Sequence, residues 1–219
     1  MNPFVPVLEA LAHGRVPPWA QVEAVVEAAR DIEDVAWHPT GFVVARLTTT
    51  EHLALRLHVW PDEARVYGEP LWPLHDHVWS LHSLVIAGTV GTARARVVDD
   101  RHGAGRRYAV DYAAGNTSQL VARGGPVRCV VGPRQSVQTG ASYSVPAGEY
   151  HASSATEGRL AATLVATRRG PRAQPFVVGP ADGPERVFVR RETMPASRWR
   201  PLLARVRAGV RSRRSSQPS

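Results

Sequence analysis

Two short segments place imidazoles where they could share one ion. In LHDHVWSLHSLVIAG, residues 74–88, His75 and His77 are two apart. Alternate side chains of a strand leave the same face, so these two rings converge while Asp76 points the other way. Residues 78–81 then read as a hairpin turn. His82 shares a face with Leu84 and Ile86 on the returning strand, which can bring it back to the same point. In GASYSVPAGEYHASSA, residues 140–155, Pro146 and Gly148 mark a tight hairpin, with His151 just beyond it. Neutral imidazole suits iron, nickel, copper, zinc and, under some conditions, manganese. The expected site is one divalent metal ion on His75, His77 and His151. His82 is either a fourth ligand or an outer residue behind a three-histidine site. His13, His38, His52, His58 and His102 stand singly and read as ordinary core or surface histidines.

The elements that must hold these residues are mostly strands. Residues 3–31 read as helical: Val5, Leu8, Leu11 and Ala12 recur at helical spacing up to Gly14, and Pro17–Pro18 open a second helix striped by Val22, Val25, Val26 and Ala29. From about residue 36 the pattern becomes short apolar runs between turn residues, among them FVVARLTTT, HLALRLHVW, VRCVVG, AATLVAT and VFVRRET. Many evenly spaced strands with no crossover helix between 40 and 190 predict an antiparallel sandwich or barrel. The expected organisation is N-terminal helices over residues 1–35, a barrel over 36–192, and a basic C-terminal tail over 193–219. That tail begins as a short amphipathic helix and ends partly disordered.

At this point the residues resemble the cupin family. Its first motif reads His-x-His, three or four residues, Glu, and a Gly about six further on; here it is His75, His77, His82 and Gly88. Its second reads Gly, five residues, Pro-x-Gly, two residues, His, and Gly140, Pro146, Gly148 and His151 keep that spacing. The resemblance covers roughly residues 40–170 and implies a mainly β, antiparallel jelly-roll barrel around one metal. Histidine stands at position 82 where the family usually has a carboxylate, which would leave an all-nitrogen, neutral ligand set. The layout is most similar to the cysteine dioxygenase group, which holds Fe(II) on three histidines. In that group an arginine on the hairpin strand binds a substrate carboxylate, so the resemblance points to Arg46, with Arg56 as a competing candidate. The chain departs from the group where its Ser-x-His-x-Tyr triad becomes Thr163, Val165 and Thr167, and where Val44 replaces a tyrosine. Thiol oxidation is therefore not the first expectation. Trp79 is a candidate pocket wall, Tyr143 and Tyr150 are candidate proton donors, and Glu149 is a candidate base.

Composition narrows the partners. The net charge of +8 lies in the last segment: from Arg186 onward there are ten arginines and one acid. The rest carries 17 arginines against 18 acids, and the chain has no lysine, so no nucleic-acid partner is expected. No apolar run is long enough to span a membrane, and the N-terminus lacks the pattern of a signal peptide, so a cytoplasmic protein without stable membrane insertion is expected. Cys129, the one cysteine, sits in an apolar strand and reads as an inert thiol. The expected function is a mononuclear metal-dependent oxidoreductase, a dioxygenase using Fe(II), on a small organic substrate; zinc, nickel and manganese are the other metals considered. The alternatives are a redox-neutral isomerase, hydrolase or dehydratase and a non-enzymatic small-molecule-binding cupin. Dimerisation is common in the family and a homodimer fits the resemblance.

Overall fold

The computed structural model of the chain describes residues 2–63, 72–113 and 116–215. Two helices, α1 (Phe4–Ala12) and α2 (Trp19–Ala28), with a 3₁₀ turn at Ala29–Asp31, lead into thirteen strands, and a third helix closes the chain. One antiparallel sheet has the order β1 (Val35–Trp37), β2 (Val43–Thr49), β3 (Leu53–Trp60), β11 (Ala161–Arg169), β4 (Trp79–Ala87), β9 (Ser142–Val145). The other runs β10 (Tyr150–Ala155), β5 (Thr89–Asp99), β7 (Thr117–Val131), β6 (Gly105–Tyr112), β12 (Phe176–Pro180). To it are added β8 (Gln135–Gln138) beside β5 and β13 (Arg186–Arg190) beside β7. Two facing antiparallel sheets with crossing connections make the expected cupin-type jelly roll.

Strand alternation divides the chain's chemistry between two faces. On β3, Leu55, Leu57 and Val59 are fully buried against the helices, together with Ala45 on β2, Leu84 and Ile86 on β4, and Leu164 on β11. The intervening residues of β3, Arg56 and His58, face a cavity between the sheets. The largest apolar core therefore lies outside the barrel, between the first sheet and the helices. Each fully buried leucine there contributes about 1.5–3 kcal/mol. The barrel interior is left free for polar side chains.

The basic C-terminal segment differs from the expectation of a short helix followed by a disordered stub. It forms a 20-residue helix, α3 (Ala196–Ser215). Trp199, Leu203, Val206 and Val210 are buried at 0–1% exposure in the same core cluster as α1 and α2. The Trp199 indole N–H donates to the Ala29 carbonyl at 3.0 Å, and that of Trp19 donates to Val210 at 2.8 Å. Acidic side chains of α2 meet its arginines, with Arg207 on Glu27 and Arg211 on Glu23. An apolar stripe at helical spacing with a sheet face to cover outweighs the local tendency of an arginine-rich terminus to stay solvated. Residues 216–219, also placed in the disordered stub, lie outside the described residues.

Candidate metal centre

His75, His77 and His151 come together, with their ligand atoms all within 4.8 Å of one another. The two motifs are joined backbone to backbone at the ligands themselves. His75 N–H donates to His151 O at 3.1 Å, and His151 N–H returns to His75 O at 2.9 Å. Residues directly opposite in an antiparallel pair project side by side from one face, and the ring centroids lie 4.7 Å apart. His77, two residues on, adds its ring at 4.8 Å from His75 and 5.1 Å from His151.

The local chain path differs from the two expected hairpins. Residues 78–81 are not a turn, because β4 begins at Trp79 and the histidines precede it in an extended segment bridged to His151 and Val177. The turn at Pro146–Glu149 is present, but β9 and β10 on its two sides belong to different sheets. Gly148 adopts φ +80° within it, a conformation that side chains with a β-carbon resist, and its N–H donates to the His77 carbonyl at 2.8 Å. Gly88 of the first motif has φ +69°, and a β-carbon there would collide with the Leu160 carbonyl oxygen. Both motif glycines thus serve close backbone approach.

The ring nitrogens are preset for a metal. His75 Nδ1 lies 2.8 Å from the Pro73 carbonyl, which can only accept, so Nδ1 carries the hydrogen and Nε2 keeps its lone pair. His151 Nδ1 faces the Glu149 carbonyl in the same sense, at 3.5 Å. Burial lowers the pKa of all three rings: that of His77 lies well below the usual value, with the neighbouring His75 and His151 adding to the effect, and that of His151 falls to about 3. Three neutral, buried, convergent imidazoles are a donor set that fits a divalent transition ion. Asp76, between two of them, turns to the opposite face with a fully buried side chain. It accepts the Phe176 N–H at 2.6 Å and pairs with Arg172. That clasp ties the ligand segment to the start of β12.

Beside the histidines is a cavity of about 460 Å³. Trp79 is among the residues that line it, stacked on His77 at 5.3 Å and 18°. Arg56 lies over the Trp79 ring at 4.6 Å. Arg46 also reaches the lining, but its guanidinium is clamped by both carboxylate oxygens of Asp34 at 2.7 and 2.8 Å.

His82 is not brought to the cluster. Leu81 lines the cavity and Val85 packs inside, whereas Leu84 and Ile86 belong to the helix-side core. His82 shares the face of Leu84 and Ile86, as expected, but that face is the outer one. Its Nδ1 lies 2.7 Å from the Ser144 hydroxyl, and a three-histidine cluster remains. Tyr150 and Tyr143 do not line the cavity either. Tyr150 alternates away from His151 and meets Arg107, while Tyr143 packs with Leu81, Val145 and Val165. Burial pushes both phenols up. Glu149 pairs with Arg94 at 3.1 Å.

Among the lining residues not singled out for this role are His38, His58, Tyr112, Ser118 and Arg191. His38 and His58, read as ordinary histidines, both pack on Phe42: His38 stacks on it at 4.4 Å and His58 meets it tilted at 4.8 Å. The alternation of Arg56, His58 and Trp60 with leucine and valine was a visible signal for β3. Nothing local pointed to Arg191, because it follows β13 and reaches the cavity only through the sheet-to-sheet packing.

Fold and cluster together define the class: a cupin-type jelly roll with a three-histidine pocket. No protein-family model matches the chain, and no curated protein matches its sequence. Solved structures do align with it. One is an RmlC-like cupin family protein with a double-stranded β-helix fold from Methanocaldococcus jannaschii, at 16% identity over 64% of this chain and 94% of that one, with a TM-score of 0.34. Another is a cupin superfamily protein from Desulfitobacterium hafniense, at 12% identity over 71% and 90%, TM-score 0.33. A third is the DMSP lyase DddQ from Ruegeria pomeroyi, at 16% identity over 62% and 50%, TM-score 0.34, so this chain spans half the length of that protein. No activity passes from proteins this distant.

Proposed function

We propose that the protein is a mononuclear metal-dependent cupin enzyme, an Fe(II) dioxygenase or related oxidoreductase, acting on a small organic substrate. The observation that carries this reading is the convergence of His75, His77 and His151 beside a cavity large enough for a small molecule. His75 and His151 would hold the ion through Nε2, each with Nδ1 directed at a backbone carbonyl, and His77 would complete the set. A ferrous ion on three neutral ligands would supply open positions for oxygen and substrate together.

The chain's own groups then bind, orient and exclude water. Phe42, Trp79 and Val165 form apolar wall, and the Trp79 ring fixes the plane of His77 by stacking. His38 accepts the Thr40 N–H at its Nδ1, at 3.2 Å, which puts its ring hydrogen on Nε2 and makes it a hydrogen-bond donor for a bound molecule. Burial and the nearby His75 keep His38 neutral well below the usual range. The alternative of a redox-neutral enzyme with Glu149 as base is weakened by that residue's pairing with Arg94.

Metal analysis of protein purified without added metal, combined with oxygen-uptake measurements on panels of small organic acids and thiols, tests the reading. Bound iron with substrate-dependent oxygen consumption is expected. Stoichiometric zinc with no oxygen uptake would reject it.

A further inference from the structure

Among the described residues, the cavity lining carries more positive charge than is neutralised. Three arginines line it: Arg46, Arg56 and Arg191. Arg46 is paired with Asp34, whose two carboxylate oxygens both accept from one of its terminal nitrogens. Arg56 and Arg191 have no carboxylate partner among the described residues, and the Nε of Arg56 is buried with no hydrogen-bond acceptor at all. Asp76 is the one carboxylate of the described lining, and it is already committed to Arg172 and the Phe176 N–H. Removing a cation from water without an anion is costly, and arginine does not escape the cost by losing its proton. Burial and the charges of Arg46 and Arg191 pull the Arg56 guanidinium down to about 10, which still leaves it charged at neutral pH.

The groups are arranged to receive rather than to repel. Arg56 lies over the Trp79 ring at 4.6 Å, and a planar guanidinium fork can take two oxygens of one anionic group. Arg191 donates to Ser118 Oγ at 3.2 Å and lies over the Tyr112 ring, 5.3 Å from its centroid. These groups come from β3, β6, β7 and the residue after β13, so both sheets contribute.

We propose that Arg56 and Arg191 form a subsite for a substrate group bearing two negative charges, a phosphonate, phosphate monoester or dicarboxylate. The count follows from the charges: two unpaired guanidiniums are matched by two negative charges in one compact group. The proposal rests on reading this cavity as a substrate pocket, and it requires no metal to be bound.

Calorimetric titration of metal-free protein with methylphosphonate, malonate and acetate at pH 8 and low ionic strength tests it. Methylphosphonate or malonate is expected to bind at least about tenfold more tightly than acetate, and the stronger of the two identifies the source of the charge. R56M and R191M should each weaken that binding by about tenfold or more, while R159Q, at an exposed loop, should leave it unchanged. R56K, which keeps the charge and loses the fork, should fall between R56M and the native protein. H151A should retain anion binding, so loss of the metal reading and loss of this one are separate results. Equal affinity for acetate and the dianions, or full affinity in both methionine variants, would overturn the proposal. Should R56M not fold, the acetate comparison and R56K decide it.

Discussion

At the scale of single residues, the site depends on which nitrogen and which face each imidazole presents. His151 is held opposite His75 by a reciprocal pair of backbone bonds, and neither ring can be replaced from elsewhere in the cluster. H151A is expected to lose metal retention by at least about tenfold, read by elemental analysis after dialysis. H82A is expected to keep full metal occupancy, since His82 faces the helix side and bonds Ser144; metal loss in that variant would place it back among the ligands. His58 gives a pH signature. Burial, reinforced by Arg56, lowers its pKa to about 3, against 6.5 as the ordinary value. The folded chain therefore leaves His58 unprotonated where the unfolded chain takes up a proton. Its contribution to stability is complete above about pH 6.5 and is lost progressively as the pH falls towards 3. Replacing His58 with glutamine should make stability less steep in pH by up to about one proton over that window. Urea midpoints between pH 7 and 4.5 measure the slope, and an unchanged slope would contradict the burial account.

At the scale of elements, the ligand segment is extended chain that has to be anchored from outside. Asp76 performs that task by reaching from between two ligands to the backbone of Phe176 and to Arg172. Its carboxyl is pushed upward by burial, against the opposing effects of those two partners. D76A removes an acceptor from a buried N–H and should cost about 1–3 kcal/mol in urea denaturation. It should also weaken metal retention, because the positions of His75 and His77 depend on the same clasp. Loss of stability with metal binding fully intact would show that the clasp supports β12 alone. The strand pattern was readable at this scale: the alternating residues of β2, β3, β4 and β11 announced two-faced strands. The side of the sheet that held the core was not readable. Leucines on alternate positions say that one face is buried, but not whether helices or the opposite sheet bury it.

At the scale of the whole molecule, the helices from both ends of the chain close one core. α1, α2 and α3 all contribute to the cluster on the outer face of the first sheet. No described helix is long and apolar enough to cross a membrane, and the buried stripe of α3 is already used in packing. Truncating W199 to alanine should destabilise the protein by about 3–5 kcal/mol, through the lost ring and the orphaned Ala29 carbonyl. Deleting residues 193–219 should expose the leucines of β3, β4 and β11 and yield a dye-binding, aggregation-prone chain. A cooperative melt at the native temperature after that deletion would show that the helix is dispensable.

The sequence by itself determined the histidine triad and the strand-rich class, because both are written in local spacing: a two-residue repeat for His75 and His77, a turn signature before His151, and short apolar runs between turn residues. Tertiary structure alone decided what surrounds the triad. His82 failed as a ligand because Leu84 and Ile86, its companions on the strand, are buried by helices rather than by the barrel. Arg56 and His58 became cavity residues for the same reason, since a sheet whose apolar face is covered from outside turns its polar face inward, and Arg191 reaches the cavity from the opposite sheet. Local alternation fixes which residues travel together; only the packing of helices on one sheet and of two sheets on each other fixes which way they face.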